Sequence, residues 1–158
     1  MQSTTEIKGK GRPFPRDCHR CGKREVYPAV IPYTLQVKYE ESLHTLDIPH
    51  LETPRCRACD EIVFDTHVDE QINAAQRTQL HLLQPAEIRD GRERLGLTRT
   101  ELAKRLGVAE TTLADWEDDI ALQSRTADKL MRMFFTFPEV RAALDGIGGD
   151  VGSGVLVG

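Results

Sequence analysis

A chain of 158 residues and 17.8 kDa has room for one ordinary domain or two small ones. With 29% charged and 39% hydrophobic residues it is neither membrane-embedded nor wholly disordered, and no run approaches the roughly 18 apolar residues that span a bilayer. The net charge of −4 and pI of about 5.7 exclude a globally basic protein that coats DNA or membranes, although local basic patches are compatible with them.

The first segment, MQSTTEIKGKGRPFPR, has no apolar stretch behind its basic residues, so it does not read as a secretory signal. A reducing, cytoplasmic setting is therefore expected, with residues 1–15 as a flexible N-terminus. All four cysteines then fall into two pairs of the same spacing, Cys18-His19-Arg20-Cys21 and Cys56-Arg57-Ala58-Cys59. One CxxC turn converges two sulfurs on a point, and a second completes a tetrahedron around Zn2+. Gly22 and Asp60 follow the pairs and suit a tight knuckle. The expected ligands are Cys18, Cys21, Cys56 and Cys59. With all four positions filled, the zinc is structural.

The alternatives fit less well. Disulfides are disfavoured in a reducing compartment. A thioredoxin-like redox pair uses one CxxC and has no need of a second. A nucleophilic cysteine aided by His19 conflicts with zinc, because a metal-bound thiolate is not free to attack. Zinc with four thiolates carries a formal charge of about −2, which Arg20, Lys23 and Arg57 are placed to screen.

Between the knuckles, Tyr33, Leu35, Val37 and Tyr39 alternate with polar residues, and 43–48 alternate again with weaker contrast. The pattern predicts a β-hairpin, with Ile62-Val63-Phe64 as a candidate third strand. So small a sheet buries little apolar area and needs a staple, which zinc supplies. His44, His50 and His67 read as ordinary strand or loop residues. Residues 16–65 thus form a zinc-ribbon-like hairpin domain.

A connecting helix is predicted over 66–83, capped by Asp65 or Thr66, with Val68, Ile72, Ala75 and Leu82 or Leu83 as an apolar stripe interrupted by Gln79. Simple core packing against one of the units is the alternative role. Helix signals become dense from residue 84. Pro85 opens a helix stapled by Leu83 and Ile88 and ending near Leu95. Thr98-Arg99-Thr100-Glu101 is a capping box, and Gly107 closes that helix. A third helix runs through Trp116 from Ala109, a poor cap. A fourth follows Ser124, and Pro138 begins a fifth. Leu102, Ala103, Leu106, Val108, Leu113, Trp116 and Ile120 are the expected inward positions, with Trp116 in the core rather than stacked on a base. Two short helices joined at 106–108 make a helix-turn-helix. The fold class is therefore α+β: a small four-cysteine hairpin domain, a connecting helix, a five-helix domain over 84–145, and a flexible Gly-rich tail over 146–158.

The stretch LTRTELAKRLGVAETTLADWE resembles the helix-turn-helix of Xre, or lambda-repressor-like, regulators. Two N-terminal CxxC knuckles ahead of such a unit resemble the MqsA antitoxin family with its YgiT-type zinc finger, and ADKLMRMFFTFPEVRAAL is similar to that family's C-terminal end. Over roughly 15–145, this resemblance implies a dimeric transcriptional autorepressor that binds a palindromic operator in double-stranded DNA. In toxin-encoding operons it also implies a ribonuclease toxin as partner of the zinc domain.

The reading helix implied is Ala109–Asp119, and the DNA-contacting set is Arg99, Thr100, Lys104, Glu110, Thr111, Thr112 and Asp115. Arg92, Arg94 and Arg105 are candidate phosphate contacts, with a solvated charged face as the alternative. The pattern is broken where Asp115 stands in place of a frequent arginine and Arg99 in place of a usual glutamine. The reading helix carries Glu110, Asp115, Glu117, Asp118 and Asp119 and no lysine or arginine. Glu117 is expected as a structural cap or salt-bridge partner. A second hypothesis is therefore a protein-interaction module with degenerate DNA binding, gripping a partner by strand addition to the zinc hairpin. No enzyme is expected, since no open metal site, glycine-rich phosphate loop or nucleophile motif is present.

Overall fold

The computed structural model describes residues 12–147, and the chain divides into two compact units between Gln79 and Leu80. In the first unit, strands β1 (Val26–Tyr39) and β2 (Ser42–Cys56) form an antiparallel hairpin. It turns at Glu40-Glu41, with Glu40 in the left-handed region at φ 53°. Both strands are longer than their alternating cores predict.

A register shift between Ile31 and Tyr33 explains the weaker pattern of the second strand. Ile31 pairs with Leu51 and Tyr33 with Ile48, so Pro49 and His50 stand opposite Pro32 alone. Proline has no N–H for the ladder, and the extra residue forms a bulge. The bulge restores the facing: Leu46, Ile48 and Leu51 all end up buried, at 1%, 8% and 0% exposure. Without it, the period of two would turn Leu51 to the opposite face. That opposite face is polar, with Thr34 bonded to Asp47 at 2.8 Å and Gln36 to Thr45 at 2.8 Å.

Helix α1 (Thr66–Gln79) lies against the hairpin, with Val68 fully buried beside Leu46, Ile48 and Leu51. Asp65 caps it, accepting from the Val68 N–H at 3.1 Å. The helix ends four residues before the predicted limit, and Leu83 packs into the second unit's core instead. Gln79, predicted to interrupt the stripe, has a different task. Its side-chain amide donates to the Asp47 carbonyl at 2.6 Å and accepts from the Asp47 N–H at 3.3 Å. Gln71 repeats the arrangement on Glu52, at 2.8 and 2.9 Å. The two glutamines satisfy main-chain groups along β2 that a neighbouring strand would otherwise occupy. The predicted third strand does not form among the described residues. Ile62 makes one isolated bridge to Arg55, and Val63 donates to the Pro54 carbonyl at 2.8 Å. Pro54 has no N–H to return, so the ladder stops.

The second unit contains α2 (Pro85–Arg94), α3 (Arg99–Leu106), α4 (Glu110–Glu117), α5 (Arg125–Thr136) and α6 (Pro138–Ile147). Its core gathers Leu83, Ile88, Leu102, Ala103, Leu106, Leu113, Trp116, Met131 and Phe134. The capping box is formed: Thr98 accepts from the Glu101 N–H at 3.2 Å, and Glu101 accepts from the Thr98 N–H at 2.7 Å. Gly107 takes φ 76° at the end of α3, where a side chain would be strained. Ala109 starts α4 without a side-chain cap. Ile120 departs from its predicted inward position and is 72% exposed. Asp119, at φ 61°, reverses the chain after α4, and the Ile120 N–H caps the Asp115 carbonyl at 2.8 Å. Ile120 therefore sits beyond the helical stripe.

Of the predicted flexible ends, residues 1–11 and 148–158 lie outside the described residues, while Phe14 packs against the Cys18–Val26–Cys56 cluster and α6 continues to Ile147. No described helix is long and apolar enough to cross a membrane.

Candidate metal centre and nucleic-acid interface

The hairpin legs deliver the cysteines. Val26 pairs with Cys56 where the two strands meet the knuckles. Pairing continues beyond, with the Arg57 N–H donating to the Glu25 carbonyl at 2.9 Å and Arg16 bridged to Val26. The two CxxC turns then repeat one hydrogen-bond pattern. Gly22 N–H donates to Cys18 O at 2.8 Å, and Cys18 N–H to Lys23 O at 2.8 Å. In the second turn, Asp60 N–H donates to Cys56 O at 2.9 Å, and Cys56 N–H to Glu61 O at 2.9 Å. Gly22 and Asp60 occupy the same left-handed position, at φ 73° and 62°.

All four sulfurs lie within 4.8 Å of one another. Cys18 and Cys59 are 3.6 Å apart, Cys21 and Cys56 3.7 Å. Metal–sulfur bonds of about 2.3 Å in a tetrahedron require sulfur–sulfur edges of about 3.8 Å, so the donors fit one metal ion. The distances are far from the about 2.05 Å of a disulfide, and the cysteines are free. Cys18 and Cys56 are buried and pack with Val26. Such a soft, closed, four-sulfur set suits a structural ion rather than a catalytic one.

The neighbouring sulfurs influence one another's ionisation. The Cys18 thiol is drawn down to about 6, chiefly by the Cys21 backbone N–H and against the opposing effect of burial. For Cys59 the Glu61 backbone N–H acts downward, but burial and the three neighbouring sulfurs outweigh it and push the thiol up to about 12. The first sulfur ionises easily and the last resists, a resistance that a divalent cation removes. Arg20 binds Glu61 at 2.9 Å, linking the two knuckles. Its guanidinium is held protonated by that hydrogen bond first, with help from the charges of Glu61, Cys59 and Cys18. Arg57 lies instead on the Tyr27 ring, at 3.8 Å. His67 faces Glu52 at 3.4 Å and His44 packs near Tyr39, both outside the cluster.

In the second unit, α3, the turn at Gly107 and α4 form a helix-turn-helix. Thr100, Lys104, Glu110 and Thr111 are exposed, and Thr112 and Asp115 are half-buried. Arg99 is engaged internally. Its Nε donates to Glu117 at 2.8 Å, and its two terminal nitrogens to Asp118 at 2.6 and 3.3 Å. The bonds to Asp118 and then Glu117 raise its basicity above the ordinary arginine range.

Glu117 has a side chain with 0% exposure. It accepts from Arg92 at 2.7 and 3.1 Å as well as from Arg99, and so ties α2 and α3 to the end of α4, as its predicted role requires. Two candidate phosphate contacts have partners within the unit. Arg92 serves Glu117 and the Leu97 carbonyl, at 2.9 Å for the latter. Arg105 forms a two-pronged pair with Asp145 at 2.9 and 2.8 Å and lies 4.9 Å from the Phe134 ring centre. Arg89, not anticipated from the sequence, donates to the Glu117 carbonyl at 2.9 Å. Nothing in its helical spacing distinguishes it from a solvated residue.

No curated protein matches this chain. Residues 88–136, from the first turn of α2 to the end of α5, match the helix-turn-helix family, so the second unit carries a DNA-binding type of domain, and the first unit carries a four-cysteine cluster able to hold a metal ion.

Proposed function

We propose that this chain is a zinc-stabilised, sequence-specific DNA-binding transcriptional regulator. It acts as a cytoplasmic homodimer on a palindromic operator of its own promoter, and serves as an MqsA-type antitoxin where a ribonuclease toxin is encoded beside it. The observation that carries the reading is the helix-turn-helix match over 88–136 combined with the exposed first two residues of α4, Glu110 and Thr111. In this arrangement α4 enters the major groove, with Thr111 and Thr112 bonding bases or phosphates. Thr100 and Lys104 meet the backbone from α3, and Glu110 and Asp115 accept from cytosine N4. Zinc is the ion that matches four thiolates in a closed tetrahedron without redox chemistry of its own. A footprint on the promoter of its own gene tests the proposal. Protection of a two-fold site, weakening steeply with salt, is expected; no protected site at low salt defeats it.

One observation favours a second reading, a protein-interaction module using strand addition. The glutamines of α1 close the outer side of β2, whereas β1 pairs, among the described residues, with β2 and the single bridge at Arg16. A small basic protein that co-purifies with the chain while DNA is ignored would favour this reading over the first.

A further inference from the structure

We propose that Asp118 is an internal stand-in for a DNA phosphate: it occupies the outer fork of Arg99, and duplex DNA must displace it to recruit that arginine. The inference rests on the DNA-binding reading above and adds a residue that restrains it. Arg99 is the first residue of α3, the helix that crosses the DNA backbone in a helix-turn-helix. Its guanidinium has two ends in different surroundings. The inner Nε is bound to Glu117, whose side chain is fully buried and shared with Arg92. That contact stays, because releasing it would leave Arg92 alone to compensate a fully buried carboxylate. The outer pair of N–H groups is bound to Asp118, whose side chain is 44% exposed.

The Asp118 carboxylate is open to solvent and therefore exchangeable, and a guanidinium fork binds carboxylate and phosphate with the same geometry. Arg99 is therefore already aimed, with its inner end fixed and its outer end filled by an exchangeable anion. This arrangement accounts for an arginine at the start of α3 in a unit whose reading helix bears only acidic charges. The cation is present, and the chain's own carboxylate tempers it.

The test is a thermodynamic cycle on the full, metal-loaded chain, made of Asp118→Asn, Arg99→Gln and the double variant. Each is titrated against duplex DNA from the gene's own upstream region and against mixed-sequence duplex at low salt. Asp118→Asn is expected to tighten binding about two- to fivefold, the scale of an exposed ion pair. In the Arg99→Gln background the same change should give no gain. An equal gain in both backgrounds would show a general charge effect and overturn the proposal, as would unchanged or weaker binding by Asp118→Asn. If neither wild type nor Asp118→Asn binds any duplex, the DNA-binding reading itself fails and this proposal with it. Binding by the wild type without an Arg99-dependent gain sinks only the latter. Trp116 emission reports whether Arg99→Gln folds, and Arg99→Lys, which keeps a cation for Glu117, replaces it if it does not.

Discussion

Truncating Glu117 to alanine should be among the most damaging single changes in the second unit. The carboxylate has 0% exposure and accepts from Arg92 and Arg99, at 2.7 to 3.1 Å. Its removal leaves the Arg92 side chain, only 12% exposed, with the Leu97 carbonyl as its remaining hydrogen-bonded acceptor among the contacts described above. Breaking a buried ion pair from one side costs about 3–5 kcal/mol, or at least ~12 °C in Tm for a unit of this size. Glu117→Gln keeps an acceptor and the shape but loses the charge, and should cost about 1.5–3 kcal/mol.

The chain's single tryptophan, Trp116, is 6% exposed in the same core, so urea unfolding followed by its emission measures the loss directly. An alanine variant within about 1 kcal/mol of wild type would refute the claim that this carboxylate holds three helices together. The pH dependence provides a second check. Burial pushes the Glu117 carboxyl upward, but Arg92 and Arg99 outweigh burial and hold it below the usual range. A depressed folded-state value contributes stability that is full above the ordinary glutamate pKa of about 4.3 and is lost as pH falls through the folded value. The wild type should therefore lose stability on acidification more steeply than Glu117→Gln, and parallel acid limbs would contradict the assignment.

Other outcomes follow from the same contacts. One zinc per chain is expected by metal analysis; chelation or Cys56→Ser should lower the melting temperature of the first unit and make the remaining thiols react rapidly with a thiol reagent, and identical melting with and without chelator would reject the metal reading. Acid should release the metal, because the ligands bind as thiolates and the ion competes with protons for them. Gly107→Ala should cost about 1–2 kcal/mol from the left-handed backbone alone, since a Cβ there meets nothing within 4 Å; urea unfolding reads this loss, and a stabilised variant would be inconsistent with it. Replacing Gln71 and Gln79 together by alanine should destabilise the first unit by about 1–3 kcal/mol. It should also promote concentration-dependent association through the bared side of β2, seen by sedimentation; a monodisperse, equally stable variant would argue against the clasp.

Local physics wrote much of this fold into the chain. Two CxxC pairs with turn-tolerant residues after them are self-contained instructions, and the knuckles form with matching hydrogen bonds. The Thr98–Glu101 box, the Ser124 cap and the Gly107 stop act within a few residues, so the helices of the second unit are legible from neighbours alone. What local pattern does not contain is the identity of a partner far along the chain. Gln79 looks like a flaw in an apolar stripe until the Asp47 main chain, 32 residues away, is beside it. Pro32 and Pro49 reveal a bulge only once the strands are paired.

The same limit governs the candidate DNA surface. An arginine on a helix has one appearance in the sequence whether it meets solvent, a phosphate or a buried carboxylate. Only the tertiary structure separates Lys104, which is exposed, from Arg92 and Arg99, gathered on Glu117, and from Arg105 on Asp145. Charge carries no periodicity that marks its partner, whereas caps, turns and apolar stripes do. The sequence by itself therefore determined most of the elements, the paired four-cysteine knuckles and the class of the second unit. Packing decided which cations remain open to a ligand, because desolvation and distance, which set the strength of an ion pair, exist only after the chain has folded.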